Sequence, residues 1–220
     1  ENFYSGMSVP EHDLVVRGRE RRGIAIPWAR FDRTRHPEPA LALAGDAQRS
    51  LAAGEYGAIT LFARIAAAMA LQGAPMDLVT AAARVPGDEA RHADLATRVA
   101  ALLGGERSDG GAIVIEQAAL EKQWNEPLTL ESLDGTMAEV AAIGETLAAA
   151  LLGGCKRRAT DPVAHALFGA LVADEIHHAR LGWYYLSWRS PQWSRAERQH
   201  IAAGERAAAR RYHRACHPCP

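Results

Sequence analysis

Apolar side chains recur at alternating spacings of three and four residues along most of the chain, and this period predicts amphipathic helices rather than strands. Glycine and proline residues separate the periodic runs and so divide the chain into individual helices. Four long helices are predicted at about residues 39–72, 76–103, 128–152 and 160–189. A fifth is predicted at about residues 194–214, where Ser194 and Glu197 have the spacing of a capping box. The predicted fold class is all-α.

The domain organisation follows from these runs. Residues 38–190 form a predicted four-helix bundle, in which the stretch between the second and third helices is long enough to cross from one end to the other. Residues 1–37 contain many Arg, Gly and Pro residues and are expected to form an extended arm over the bundle, with residues 1–6 resembling a tag remnant. Residues 191–220 add the fifth helix and a tail.

One acidic-histidine phrase occurs twice, in the second and fourth predicted helices. The stretches GDEARHADL and ADEIHHARL share the pattern Asp-Glu-x-x-His-Ala-x-Leu. In both helices the Glu and the His fall on the apolar seam, whose spacing predicts that it faces the interior of a bundle. Two helices are therefore expected to direct one carboxylate and one imidazole each inward: Glu89 with His92, and Glu175 with His178.

The first and third predicted helices each carry one glutamate on a seam. Glu55 interrupts the seam of the first helix, and Glu145 interrupts the seam of the third. Both follow a glycine, which favours a duplicated helical pair. Glu139 is the alternative in the third helix, although it lies in line with more polar residues.

Four carboxylates and two imidazoles need partners in an apolar interior, because an isolated buried charge costs several kcal/mol even after the protein relaxes. Lys and Arg do not occur on these seams, whereas two divalent cations would balance four carboxylates. Residues three apart share one helix face, so one helix can supply both a Glu and a His. The order Glu, Glu-x-x-His, Glu, Glu-x-x-His is the ligand set of ferritin-like dimetal carboxylate bundles.

On these motifs the chain resembles the ferritin-like di-iron carboxylate superfamily over about residues 39–189. The resemblance implies a ferritin-like four-helix bundle and a centre of two iron ions, with manganese or a mixed iron–manganese pair as alternatives. It also implies that six residues serve as metal ligands and as the catalytic site: Glu55, Glu89, His92, Glu145, Glu175 and His178.

A second register of the repeated phrase would use Asp174 and His177. In the earlier copy that register gives Asp88 and Arg91, and arginine has no lone pair for a cation, so the Glu/His register is preferred. Asp88 and Asp174 are instead candidates to accept hydrogen bonds from the ligand histidines, with a solvated role as the alternative. Arg91 and Arg180 are candidates for ion pairs with these aspartates.

Within the superfamily, the resemblance favours an oxygenase or oxidase that activates O₂ to oxidise a small organic substrate by hydroxylation, N-oxygenation or a related reaction. Such an enzyme needs an electron donor, a reductase or a ferredoxin, and a homodimer is a compatible assembly. Two alternatives remain open: a rubrerythrin-like enzyme that scavenges peroxide or O₂, and a ferritin-like protein that oxidises or stores iron. Pro86, three residues before Glu89, predicts a kink or a widened turn beside the site.

Composition narrows the classes further. The 25 Lys and Arg residues nearly balance the 26 Asp and Glu residues, so the charge gives no reason to expect nucleic acid or an anionic membrane as a partner. No apolar run reaches the roughly 18 residues of a membrane-spanning helix, and the first residues lack a signal-peptide pattern. A cytoplasmic protein is expected.

The C-terminal tail contains a second, weaker candidate site. Cys216 and Cys219 form a Cys-x-x-Cys pair, with His213 and His217 beside them. This spacing occurs in zinc knuckles and in redox pairs, but a single copy in a proline-containing tail is more typical of a tail without a site. Together with Cys155 the chain has three cysteines, too few for a disulfide framework.

Overall fold

The computed structural model describes residues 25–104, 117–125 and 128–216, and within these ranges it contains helices and no strand. The prediction of an all-α protein is confirmed. The α-helices are α1 (Glu38–Leu71), α2 (Met76–Ala82), α3 (Val85–Gly104), α4 (Gln117–Asn125), α5 (Leu130–Thr136), α6 (Glu145–Arg158), α7 (Pro162–Arg189) and α8 (Arg195–Cys216). A π-helical segment, Met137–Gly144, joins α5 to α6. Short 3-10 helices occupy Trp28–Arg30, Arg33–Arg35 and Ser190–Gln192.

Two antiparallel helical pairs make up most of the described chain. In the first pair α1 packs on α3, so that Gly45 near the start of α1 lies against Leu103 and Gly104 at the end of α3. In the second pair α6 and the π-helical segment pack on α7, so that Gly169 near the start of α7 lies against Lys156 near the end of α6. The interior between the two pairs is therefore lined by α1, α3, α6 and α7.

The apolar core has two parts, one towards each end of the pairs. The larger part includes Phe62, Ile65, Met69, Val85, Met137, Leu181 and Tyr185. The smaller part consists of Leu95, Val99, Leu167 and Leu171, against which Ile26 and Trp28 of the arm are packed. Along α3 and α7 the two repeated acidic-histidine phrases lie between these two parts, so the acidic residues interrupt the core at its middle.

The predicted starts of the last two helices are confirmed. α7 begins directly after Asp161, whose side chain accepts hydrogen bonds from the backbone nitrogens of Val163 and Ala164 at 2.8 and 3.0 Å. Before α8, the backbone nitrogen of Ser194 donates to Glu197 Oε2 at 2.7 Å, and Ser194 Oγ accepts from the backbone nitrogen of Glu197 at 3.3 Å. This reciprocal pair is a capping box, as its spacing indicated.

Two predicted helix boundaries are wrong. The second predicted helix is divided into α2 and α3, and Pro86 lies in the first turn of α3, where a missing N–H removes no helical hydrogen bond. The third predicted helix does not stop at Gly153 but continues to Arg158. A glycine in a helix costs only about 1 kcal/mol, and the packing of α6 on α7 outweighs this cost. The chain leaves the helix at Ala159, which is extended.

The arm, the crossover and the tail are described only in part. Within the arm, Arg33 Nη1 donates to the carbonyl oxygen of Leu103 at 2.5 Å, so the arm caps the end of α3. α4 is the described part of the crossover. Residues 1–24, 105–116, 126–127 and 217–220 lie outside the described residues, as do the side chains of His213 and Cys216, so the Cys-x-x-Cys prediction stays a prediction.

One stretch of the described chain, Ser132–Arg158, is long and apolar enough to cross a membrane by length and composition. A single stretch of this kind is weak evidence for a span, because core helices of soluble proteins pass the same test. The same stretch packs along α7 and carries Glu145 into the interior of the protein.

The π-helical segment was not predicted, and its neighbour on α7 explains how it fits. Gly182 faces the backbone of the segment, and a methyl group at this position would overlap the backbone nitrogen of Ala142 and the carbonyl group of Ala141. Only glycine allows the two helices to approach this closely. The segment ends at Gly144, so its placement against α7 determines where Glu145 enters the interior.

Gly182→Ala is expected to destabilise the protein by about 1–3 kcal/mol, because one of the two backbones must shift to admit the methyl group. Gly204→Ala is a matched control, since Gly204 lies within α8 with nothing within 4 Å of an added Cβ. The control should gain up to about 1 kcal/mol from helix propensity. Urea unfolding measures both changes. Equal stability of the two variants would contradict the close approach.

Candidate metal centre

The six predicted ligand residues meet where the two helical pairs face each other. Four of them are almost fully buried: Glu89 is 2% exposed, His92 1%, Glu175 4% and His178 1%. Glu55 from α1 and Glu145, the first residue of α6, are half-buried. A carboxylate at this depth requires either a proton or a nearby positive charge, so the negative charge of the cluster must be neutralised inside the protein.

The two histidines share the two carboxylates of the Glu-x-x-His motifs. His92 Nδ1 lies 3.4 Å from Glu89 Oε2 and 3.3 Å from Glu175 Oε1. His178 Nδ1 lies 3.2 Å from Glu89 Oε1 and 3.1 Å from Glu175 Oε2. Each carboxylate therefore places one oxygen atom beside each imidazole, which is the arrangement that a carboxylate bridging two metal ions requires.

The other nitrogen of each imidazole faces an aspartate from the opposite helical pair. His92 Nε2 lies 3.1 Å from Asp174 Oδ2, and His178 Nε2 lies 3.4 Å from Asp88 Oδ2. With the proton on Nε2, each histidine donates to its aspartate and directs the Nδ1 lone pair at the centre of the cluster. Both aspartates thus occupy the predicted acceptor positions. Of the two candidate arginines, Arg91 forms an ion pair with Asp174.

The electrostatics of the single carboxylates favour their protonated forms. Burial raises the pKa of Glu55 to about 9, and its hydrogen bond to Glu89 and the negative charges of Glu89 and Glu175 act in the same direction. Burial also raises the pKa of Glu145 well above its ordinary value, and the charge of Glu175 and a hydrogen bond to it add to this effect. Without a cation, both single carboxylates therefore carry a proton at neutral pH.

Glu89 and His178 show the opposite tendency, towards their charged forms. Burial alone would raise the pKa of Glu89, but His178, together with the nearby His92 and Glu55, outweighs it and lowers the pKa. Burial alone would lower the pKa of His178, but hydrogen bonds to Asp88 and the bridging carboxylates raise it well above its ordinary value. In the metal-free cluster, protons thus supply the positive charge.

The donor set fits two divalent cations. Two groups have ligand atoms that all lie within 4.8 Å of one another: Glu55, Glu89 and His92, and Glu89, Glu145 and His178. His92 Nδ1 is buried and has no hydrogen-bond partner in the described chain, so a buried nitrogen faces the carboxylates without being satisfied. A metal ion would satisfy it. Carboxylate oxygens with one imidazole for each ion suit iron or manganese.

The alternative candidates lie outside this cluster. Glu139 lines a separate cavity together with Thr136 and His200. Asp174 contacts a ligand histidine from outside, and His177 belongs to neither group of potential ligands. The structure therefore groups the residues of the preferred register and leaves the alternatives apart.

The wall of the cluster is apolar on the side of α1. The ring of Phe62 lies 6.0 Å from the ring of His178, and the two imidazole rings lie 5.8 Å apart. Phe62 and Met69 are almost fully buried. Such a wall keeps water away from the cluster and strengthens every electrostatic interaction within it.

Sequence reasoning missed a buried acid outside the cluster, Asp134, which is 2% exposed. Tyr185 Oη donates to Asp134 Oδ1 at 2.7 Å, Trp193 Nε1 donates to Asp134 Oδ2 at 2.6 Å, and Arg189 Nε lies 3.3 Å from Oδ1. Burial and the hydrogen bond to Asp134 raise the pKa of Tyr185. The sequence contained a signal for its burial: the seam of the third predicted helix, extended back four positions from Ala138, reaches Asp134.

No protein-family model, curated protein or solved structure matches this chain. The superfamily assignment therefore stays a prediction, which rests on the order of the ligands along the chain and on the geometry of the cluster.

Metal binding is expected to release protons, because Glu55 and Glu145 are protonated in the metal-free protein and coordinate as carboxylates. Calorimetric titration with Mn²⁺ in buffers of different protonation enthalpy counts the protons released. The affinity should rise with pH up to about 9, the pKa of Glu55, since fewer protons then compete. Glu55→Gln has no such proton to lose and should release fewer. Equal release from the variant and the wild type would show that Glu55 is already ionised.

The metal-free protein should also lose stability as the pH rises. The pKa of Glu55 is about 9 in the folded protein against 4.5 ordinarily, so its contribution to stability is complete below 4.5 and disappears by about pH 9. His178, whose pKa is also raised, acts in the same direction. Thermal unfolding between about pH 5 and pH 9 should show a falling Tm without metal and a nearly constant Tm with metal. A metal-free Tm that rises over this range would contradict the electrostatics.

Removing ligands should lower the metal content selectively. His178→Ala and Glu89→Ala are each expected to reduce bound metal well below two ions per chain, because each removes an atom from the ligand groups. His177→Ala, at the adjacent position outside both groups, is the matched control and should leave the content unchanged. Elemental analysis of the purified variants measures this. Loss of metal from His177→Ala, with metal retained by His178→Ala, would show that the ligands follow the alternative register with Asp174 and His177.

Proposed function

We propose that this protein is a non-haem di-iron oxygenase or oxidase of the ferritin-like superfamily, which oxidises a small organic substrate with O₂. The observation that carries the proposal is the shared position of Glu89 and Glu175: each places one carboxylate oxygen within 3.4 Å of His92 Nδ1 and its other oxygen within 3.4 Å of His178 Nδ1. A single-metal site or a structural ion pair needs no such two-sided arrangement.

Six residues would hold the two ions. Glu55 and His92 would bind one ion, Glu145 and His178 would bind the other, and Glu89 and Glu175 would bridge them. When bound there, two Fe²⁺ ions would supply two of the electrons that reduce O₂.

The surrounding residues of the chain orient the ligands and keep the site dry. Asp174 and Asp88 would accept hydrogen bonds from the Nε2–H groups of the histidines and so fix the tautomer that coordinates through Nδ1. Phe62 covers His178 from α1, and an apolar cover of this kind keeps water away from the site.

The balance of the reaction requires an external electron donor. Inserting one oxygen atom into a C–H or N–H bond of R–H consumes O₂, two electrons and two protons, and yields R–OH and water. The substrate bond supplies two of the four electrons that O₂ needs, so an external donor, a reductase or a ferredoxin, supplies the other two.

Anaerobic loading with Fe²⁺ followed by exposure to O₂ tests the proposal. We expect about two irons per chain and a Mössbauer spectrum of two magnetically coupled ferric ions, which is the result that two ions sharing Glu89 and Glu175 would give. Glu175→Ala removes one of the two shared carboxylates and should weaken the coupling, whereas His177→Ala should leave it unchanged. Uptake of many irons per chain would instead indicate iron storage. A protein that binds two irons and consumes hydrogen peroxide, but oxidises no organic substrate, would be a scavenging enzyme.

A further inference from the structure

A cavity of about 670 Å³ opens between the last turns of α6 and the first turns of α7. This volume lies within the range of small-molecule sites. Its walls are mostly apolar, with Leu151 on α6 and Ala164 and Phe168 on α7. Leu151 is exposed at the mouth of the cavity, so an apolar ligand there would cover it. The cavity is separate from the six cluster residues, which do not line it.

The floor of the cavity lies on the same helix as the metal cluster. Phe168 precedes Glu175 by two turns of α7 and falls on the same stripe of that helix, so about 10 Å of helix rise separates them. Leu171, one turn from Glu175 on this stripe, is buried. An apolar chain that extends from Phe168 along α7 towards the cluster must therefore displace the side chain of Leu171, which lies between them.

The polar side chains at the rim of the cavity favour a ligand with an anionic head group. Asp161 also lines the cavity, but its Oδ1 caps the start of α7 by accepting from Val163 and Ala164, and its Oδ2 lies 3.9 Å from His36 Nε2. Arg158 is exposed at the rim, where its guanidinium is accessible to a ligand. An arginine binds a carboxylate with two parallel hydrogen bonds, so a carboxylic acid complements this cavity better than an amine or an alcohol.

We propose that this cavity binds an amphiphilic carboxylic acid, with its carboxylate on Arg158 and its apolar chain over Leu151 and Phe168, and that this acid belongs to the substrate class of the metal centre. The second half of the proposal rests on the proposed function. The reaction would convert R–CH₂–R′ to R–CH(OH)–R′ with consumption of O₂, two electrons from a reductase or ferredoxin, and two protons, and with release of water.

Binding is tested on the metal-free full-length protein with decanoate below its micelle concentration, by calorimetry. We expect one decanoate per chain, and Arg158→Gln should weaken binding at least about ten-fold, as expected for the loss of a charge-assisted hydrogen bond. Arg157→Gln is the matched control, because Arg157 is the adjacent exposed arginine but does not line the cavity, its guanidinium lying over Gly153 and Gly154 of its own helix. Ala164→Trp should fill the cavity and abolish binding, with circular dichroism and thermal unfolding used to check that this variant is folded.

Three results would overturn the binding site. The first is equal affinity for decanoate, decanol and decylammonium. The second is an Arg158→Gln affinity equal to that of Arg157→Gln, and the third is undiminished binding by a folded Ala164→Trp variant.

The substrate role is tested on the iron-loaded protein with a chemical reductant. The wild type should hydroxylate decanoate, and Arg158→Gln should lose most of the hydroxylation activity at low decanoate concentration while retaining about two irons per chain. Decanoate binding without iron binding would overturn the proposed function and leave the cavity site standing, whereas the reverse would overturn only the cavity site.

Discussion

The burial of carboxylates away from water is the constraint on which this structure depends. Glu89 and Glu175 lie in the interior with exposures of 2% and 4%, at a level where apolar side chains fill the rest of the same helical stripes. In the metal-free protein, protons on Glu55 and Glu145 keep the negative charge low enough for the helices to close. Metal ions would take over the same role. Folding and metal binding are consequently linked, since each depends on how the same acids are neutralised.

The repeated phrase has a structural meaning beyond its Glu and His. Asp88 of the first copy faces His178 of the second, and Asp174 of the second copy faces His92 of the first. Each aspartate therefore orients the imidazole of the other helix, while the following glutamate lies between both imidazoles. This exchange explains why the repeated unit begins with Asp and why the two copies are needed together. It also joins α3 to α7, which belong to different antiparallel pairs.

The sequence was sufficient to predict the helices and the grouping of the acidic residues, because both follow from local spacing. Spacings of three and four residues locate the interior stripe, and the caps at Asp161 and Ser194 locate two helix starts. The break before Pro86 was ambiguous, since proline is compatible with either a kink or a first turn, and the choice depends on how α2 packs. The π-helical segment has no local signal, because it depends on the contact with Gly182 on a distant helix.

The difference between Asp134 and Glu145 is the strongest internal reason to assign the cluster to metal binding. Both are acids on the seam of the same helical stretch, separated by the π-helical segment. Asp134 is satisfied by the protein alone, with Tyr185, Trp193 and Arg189 around its two oxygens. Burial and the neighbouring carboxylate of Glu175 hold the pKa of Glu145 high, and the cation that acts against them is His178, which the same cluster of acids shares. The chain thus supplies three donors to Asp134 alone but lets several acids share the histidines in the cluster, a contrast that supports the proposal of a metal ion there.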